Sequence, residues 1–216
     1  MKTFFFSVFA LLLISAGCSI SQEYHFNSDM SGNSTAMVDV SQMKEFMSGM
    51  DSTGNDNSMD TMDQSFAKVA DTYRQLGAKN IEYGWNDDST VLFISYDFDN
   101  VDVVNKVMAS GADSELMGGA TPKTDGKKAE FKAKGEKKLS YSAPDFAKDT
   151  TMNSEEMASM KDYYQYKLSF TFEREIKKLD NKNAVMAPDG KSFEFSGSMF
   201  DILSPEYKTD FKVKLK

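Results

Sequence analysis

In YYQYKLSFTFEREI, residues 163–176, apolar and polar side chains alternate along most of the stretch. Tyr164, Tyr166, Leu168, Phe170, Phe172 and Ile176 hold the even positions; Gln165, Lys167, Ser169, Thr171, Glu173 and Glu175 hold the odd ones. Successive side chains of a strand point to opposite faces, so this period of two predicts a long strand with one core face and one wet face. The chain closes on the same pattern, with Tyr207, Phe211, Val213 and Leu215 against Lys208, Asp210, Lys212 and Lys214. Between them Ala187-Pro188-Asp189-Gly190 is a turn signal separating Val185 from KSFEFSG. Residues 162–216 are therefore expected to be antiparallel β.

Working outward, residues 18–110 mix both periods. EYHFNSDM and STAMVDV suggest two strands around a turn at Ser31-Gly32-Asn33. A helix should follow: Asp39 with Gln42 resembles a capping box, and Met43, Phe46, Met47 and Met50 fall on one helical face. Met62, Phe66, Val69, Ala70, Tyr73 and Leu76 predict a second helix, with Gly77 placed to end it. NIEYGWNDDSTVLFISYDF then predicts a hairpin turning at Asn86–Ser89, and Asn100 caps a short helix through Met108.

Residues 111–161 exchange apolar periodicity for Gly, Pro and Lys. They are expected to form a flexible insert with one small lysine-rich hairpin, Glu130–Lys134 with Lys137–Tyr141, exposed as edge strands often are. NSEEMASM suggests a further short helix. The fold class that results is α+β: an antiparallel sheet with two or three helices packed on one face, plus the hairpin insert. The C-terminal β part is expected to share a domain with residues 18–110.

The N-terminus carries an address. Lys2 precedes an uncharged apolar run, Phe4–Ile14, of signal-peptide length and too short for a bilayer span. Small residues Ser15, Ala16 and Gly17 lead into Cys18, the only cysteine. Residues 1–17 are thus expected to be a leader and Cys18 its first mature residue and lipidation site. A catalytic role for Cys18 would need a base, and the sole histidine, His25, lies in an exposed-looking strand. No apolar run of spanning length follows the leader.

Charge and motifs exclude several chemistries. The formal charge is −8, and removing the leader takes away Lys2 and no acid, giving −9. An acidic chain with no run of basic residues argues against nucleic acid as partner and against electrostatic attachment to anionic lipid. Asp97, Asp99 and Asp102 suggest calcium, but counting from Asp97 puts Val101, Asp102 and Met108 at positions 5, 6 and 12, where an EF-hand loop needs an oxygen ligand, Gly and Glu. Asp51, Asp56, Asp60 and Asp63 fit a solvated loop beside a helix N-terminus. Met59-x-x-Met62 and Met157-x-x-Met160 would suit soft Cu(I), yet most methionines fall on apolar stripes as core filler. There is no G-x-S-x-G, and a zinc site would have one His to draw on. Paired carboxylates remain open, although Trp85 is the only tryptophan for a sugar platform. Tyr163, Tyr164 and Tyr166 suit either a contact surface or a packed sheet face. No cofactor is expected.

The leader with SAGC (residues 15–18), YHFNSDMSGNSTAMVDVS (24–41) and LGAKNIEYGWNDDSTVLFISYDFDNVDVVNKVM (76–108) resemble lipoproteins of Bacteroidetes-type bacteria. The order of elements also resembles the LppM-type lipoprotein domain. The resemblance covers residues 1–110 and has no diagnostic motif beyond the lipobox, where Ser15 stands in place of the usual Leu. It implies an anchored α+β module, outer-membrane sorting because Ser19 follows the cysteine, and no known reaction. The expected function is a non-enzymatic, lipid-anchored envelope protein that binds a protein or an apolar ligand. The rivals are an envelope hydrolase acting through paired carboxylates and a metal-binding lipoprotein.

Overall fold

The computed structural model describes residues 18–41, 57–112, 128–144, 161, 163–202, 204 and 206–216, with the side chains of 57–63 outside the description. The helices expected at 43–50 and 153–160 lie outside the described residues.

The fold is mixed α+β, mostly strands in a large, antiparallel-dominated sheet, with three helices among the described residues. β1 (Cys18–Phe26) and β2 (Gly32–Asp39) pair in unbroken register from Ser19–Asp39 to Phe26–Gly32. Their turn falls at Asn27–Ser31, where Asn27 N–H donates to the Ser31 carbonyl at 2.8 Å. Gly32, expected in the turn, is instead the first residue of β2. A Cβ there would stand 1.8 Å from the His25 carbonyl oxygen, so only glycine lets the two strands approach this closely.

Helix α1 (Asn57–Gln75) begins earlier than its apolar stripe. It ends where predicted: Gly77 takes φ 99°, Ala78 N–H reaches the Tyr73 carbonyl at 3.0 Å and Gly77 N–H the Arg74 carbonyl at 3.1 Å. That pair of bonds is a Schellman stop. β3 (Lys79–Trp85) and β4 (Val91–Phe98) follow, joined by the Asn86 turn, whose side-chain oxygen accepts from Thr90 and Val91 N–H at 2.7 and 2.9 Å. Asn100 caps α2 (Val101–Ser110) by accepting from Asp102 N–H at 3.0 Å.

The remaining strands are β5 (Glu130–Ala133), β6 (Lys138–Ser142), β7 (Tyr164–Phe172), β8 (Ile176–Leu179), β9 (Val185–Met186), β10 (Ser192–Ser198) and β11 (Phe211–Leu215), with the short α3 at Met199–Ile202. They build two sheets rather than the one expected. The larger has the order β3-β4-β2-β1-β7-β10-β9, the smaller β5-β6-β11-β8. β1 and β7 run parallel, in register from Cys18–Tyr164 to Phe26–Phe172, and this pairing joins the N-terminal and C-terminal parts. The stretch 163–176 is correspondingly not one strand. It breaks after Phe172, where Glu173 N–H donates to the Phe26 carbonyl at 3.0 Å, and the chain then crosses to the smaller sheet as β8.

One hydrophobic core fills the space between the layers. α1 lies against β3, α2 bridges β4 and β5, α3 packs on β7 and β10, and the small sheet meets β1, β7 and β10 through the rings of Tyr24, Phe170 and Phe193. Phe170, from the opening stretch, is fully buried and meets six rings: Tyr24, Phe131, Tyr141, Phe193, Phe195 and Phe211, the last at 4.6 Å. The lysine-rich hairpin is therefore no solvated appendage, because Phe131, Leu139 and Tyr141 of β5 and β6 are buried in this core. Its apolar residues are few but alternate, and the outward lysines concealed that period. The free edge of β5 is closed by α2: Asn105 accepts from Phe131 N–H at 2.7 Å and donates to the Phe131 carbonyl at 2.8 Å.

Candidate functional site

The large sheet leaves one face outside the core, and cross-strand register dictates what stands on it. Thr35 of β2, Glu23 of β1, Ser169 of β7, Glu194 of β10 and Val185 of β9 form one row. Asn33, His25, Thr171 and Ser192 form the next. Lys167, flanked by Ser21 and Ser196, lies in a third, and its ammonium pairs with Glu194 at 3.2 Å. Strands lie roughly 4.8 Å apart, so these rows present hydroxyl, carboxylate, imidazole and amide groups at regular intervals.

All of these except Ser21 and Ser196 line a trough of about 600 Å³. The turn after β9 supplies its far wall through Ala187 and Pro188, next to Val185 and Met186, the most exposed large aliphatic side chains among the described residues. Ser169 Oγ lies buried in the floor without a hydrogen-bond partner among the described residues. The trough can hold a polar ligand across four strands, with an apolar lip on one side. The odd positions of 163–176 had signalled a wet face; which residues of β1, β2 and β10 would join them was not readable from the sequence.

Cys18 stands elsewhere, as the first residue of β1, beside Tyr164 of β7. Its side chain falls on the core-side parity of β1, shared with Tyr24 and Phe26, and is half-buried. Burial pushes the thiol pKa up, and the neighbouring Asp39 carboxylate adds to that. Burial likewise raises the Tyr164 phenol, with a smaller contribution from Cys18. A thiol held protonated is a poor nucleophile. His25 lies in the trough on the opposite face, so the structure does not bring the cysteine and the histidine together.

The other sequence candidates are accounted for by local bonding. Asp97 accepts from the Asn80 amide at 2.7 Å, Asp99 pairs with Lys79 at 2.6 Å, and Asp102 sits in the first turn of α2. Among the described residues no group of three or more His, Cys, Asp or Glu is placed to hold a metal ion. The side chains of Asp51, Asp56, Asp60, Asp63, Met59, Met62, Met157 and Met160 are outside the described residues. Trp85 registers with buried Leu92 and packs on the core, away from the trough. Tyr166 also packs on the core, Tyr164 stands edge-on to Phe200 at 6.0 Å, and Tyr163 is half-buried just before β7. Among the described residues no helix is long and apolar enough to cross a membrane.

Fold and face together define a two-sheet α+β domain with a hydrophilic trough on its open sheet. No family model matches the chain, and no curated protein does. Among solved structures it is similar to the folded domain of LppM from Mycobacterium tuberculosis, determined by NMR, at 8% identity and a TM-score of 0.47 over 94% of this chain and 91% of that one. The comparisons lend no support to a Bacteroidetes-type origin.

Proposed function

We propose that the chain is a lipid-anchored envelope lipoprotein, sorted to the bacterial outer membrane, that works as a non-enzymatic binding module. The observation that carries this reading is the position of Cys18. It follows a leader-like segment directly and is also the first residue of β1, whose partners β2 and β7 flank it on both sides. A thioether-linked diacylglycerol at Cys18 would therefore attach to the sheet itself, with no spacer. The raised thiol and the distance of His25 suit an attachment point better than a nucleophile. A protein partner would meet the polar rows of the trough and its apolar lip together, whereas an apolar ligand would meet only the lip, where Val185 and Met186 offer exposed apolar area. Radiolabelled fatty acid should enter the wild-type chain and fail to enter Cys18→Ser; equal labelling of both would refute the anchor.

One observation favours a second reading. Glu23 and Glu194 flank Ser169 in a single row, two strands and about 10 Å apart at the backbone. Two carboxylates across a trough suit water-mediated hydrolysis of a glycan. A bell-shaped pH profile of glycan hydrolysis abolished by Glu23→Gln or Glu194→Gln would establish this reading, and its absence would leave the binding module.

A further inference from the structure

The small sheet has an outer face too, and its composition opposes that of the rest of the molecule. Cross-strand register sets Lys138 of β6 opposite Lys214 of β11, and Lys214 opposite Lys178 of β8. Lys212 stands one row away, opposite Ser140, and Ser140 pairs onward with Lys132. With Lys134 these six side chains are exposed and line a shallow recess of about 330 Å³. Lys132 is paired with Glu130 at 2.8 Å, and the Asp180 carboxylate on this face accepts from the Lys212 backbone N–H. Among the described residues no acid forms an ion pair with the other five. Other acids nearby are engaged elsewhere, Glu136 with Arg174, Glu175 with Lys216, and Asp210 accepting from the Ala143 N–H at 3.1 Å.

Like charges directly opposite one another on a sheet are destabilising, and here three lysines occupy one row. The chain as a whole is strongly acidic, so this face is a local inversion of charge. We propose that the outer face of the small sheet is a docking surface for an anionic phospholipid membrane. Lysine is depleted from protein interfaces, which favour Arg, Tyr and Trp, and none of these three lines the recess. A flat array of flexible ammonium groups suits a diffuse negative plane of headgroups. The geometry agrees with the anchor reading, on which this proposal partly rests. Cys18 lies on the core side of the large sheet, the side on which the small sheet is stacked. Acyl chains and lysines then form the two signals that stable membrane attachment requires.

The test uses the full mature chain carrying Cys18→Ser, so that no lipid contributes. It should co-sediment with phosphatidylglycerol–phosphatidylcholine vesicles at low salt, release as salt rises, and ignore pure phosphatidylcholine. Each lysine near such a surface contributes about fivefold in affinity, so Lys138→Gln, Lys178→Gln and Lys214→Gln together should weaken binding roughly a hundredfold. The triple variant should melt at or above the parent temperature, since it removes repulsion within one row. Changing Lys68, Lys106 and Lys191, which lie off this face, should leave binding as it was. Equal binding to both vesicle types, an unchanged triple variant, or tighter binding of a DNA duplex or polyglutamate would overturn the proposal. Because the variant carries no acyl chain, failure of fatty-acid labelling and failure of vesicle binding are separate results.

Discussion

Replacing Asn105 by alanine tests how the two layers are locked together. The Asn105 amide is the side-chain partner of both backbone groups of Phe131, at 2.7 and 2.8 Å, and so joins α2 to the open edge of β5. Phe131 is 1% exposed and touches the rings of Tyr24, Phe26, Tyr141 and Phe170, so this edge is tied to the centre of the core. Two hydrogen bonds are lost in Asn105→Ala. At a net value of about 1 kcal/mol each, the loss is about 2 kcal/mol if water replaces the amide. If the freed N–H and C=O stay dry, it rises to about 4 kcal/mol. Asn105→Asp keeps an acceptor for the N–H but sets oxygen against the carbonyl, so it should recover little. Urea denaturation should show a lower midpoint with an unchanged slope. In a domain of this size the melting temperature should fall by roughly 5–15 °C. An alanine variant within about 0.5 kcal/mol of the parent, or an aspartate variant equal to it, would show that Asn105 does not hold the edge.

Gly32→Ala places a methyl group against the His25 backbone and should cost about 3 kcal/mol or more, read from thermal melting; a parental melting temperature would contradict the close approach. Phe170→Ala empties the meeting point of six rings and should cost about 3–5 kcal/mol in urea denaturation, the range for a buried phenylalanine. Hydrogen bonds from Ser28 hold the Glu173 carboxyl below its ordinary pKa. Its folded value lies below its unfolded one, so it contributes stability above the ordinary glutamate range that is lost as pH falls through the depressed value. The midpoint difference between wild type and Glu173→Gln should accordingly shrink on acidification, and a constant difference would refute the linkage. In the unlipidated chain, Cys18 should alkylate more slowly than a free cysteine at neutral pH, and Asp39→Asn should restore part of the rate, burial being the larger cause.

Local pattern went a long way here. The even positions of 163–176 named Leu168, Phe170 and Phe172 as core, and all three are buried. The Gly77 stop, the Asn86 turn, the Asn100 cap and the 187–190 turn lie where short-range chemistry put them, because each depends on residues within a few positions of one another. The hairpin at 130–142 was legible as a hairpin but not as core. Its outward lysines dominate the composition, while Phe131, Leu139 and Tyr141 acquire their meaning only from the sheet they face.

Partner choice was decided by the tertiary structure alone. Period two states which face of a strand is apolar, but not which strand lies beside it. The parallel match of Cys18–Phe26 to Tyr164–Phe172 and the break after Phe172 were both invisible in the sequence. The trough row of Thr35, Glu23, Ser169 and Glu194 exists only because of that register. So does the basic face: the lysines of the 130–142 hairpin are legible, but only the pairing of β6, β11 and β8 sets Lys138, Lys214 and Lys178 side by side. Charge along a chain is a local property, whereas charge on a sheet is summed across strands. The sequence by itself determined the two-faced strands and their local stops; the long-range pairing of those strands determined what each outer face presents.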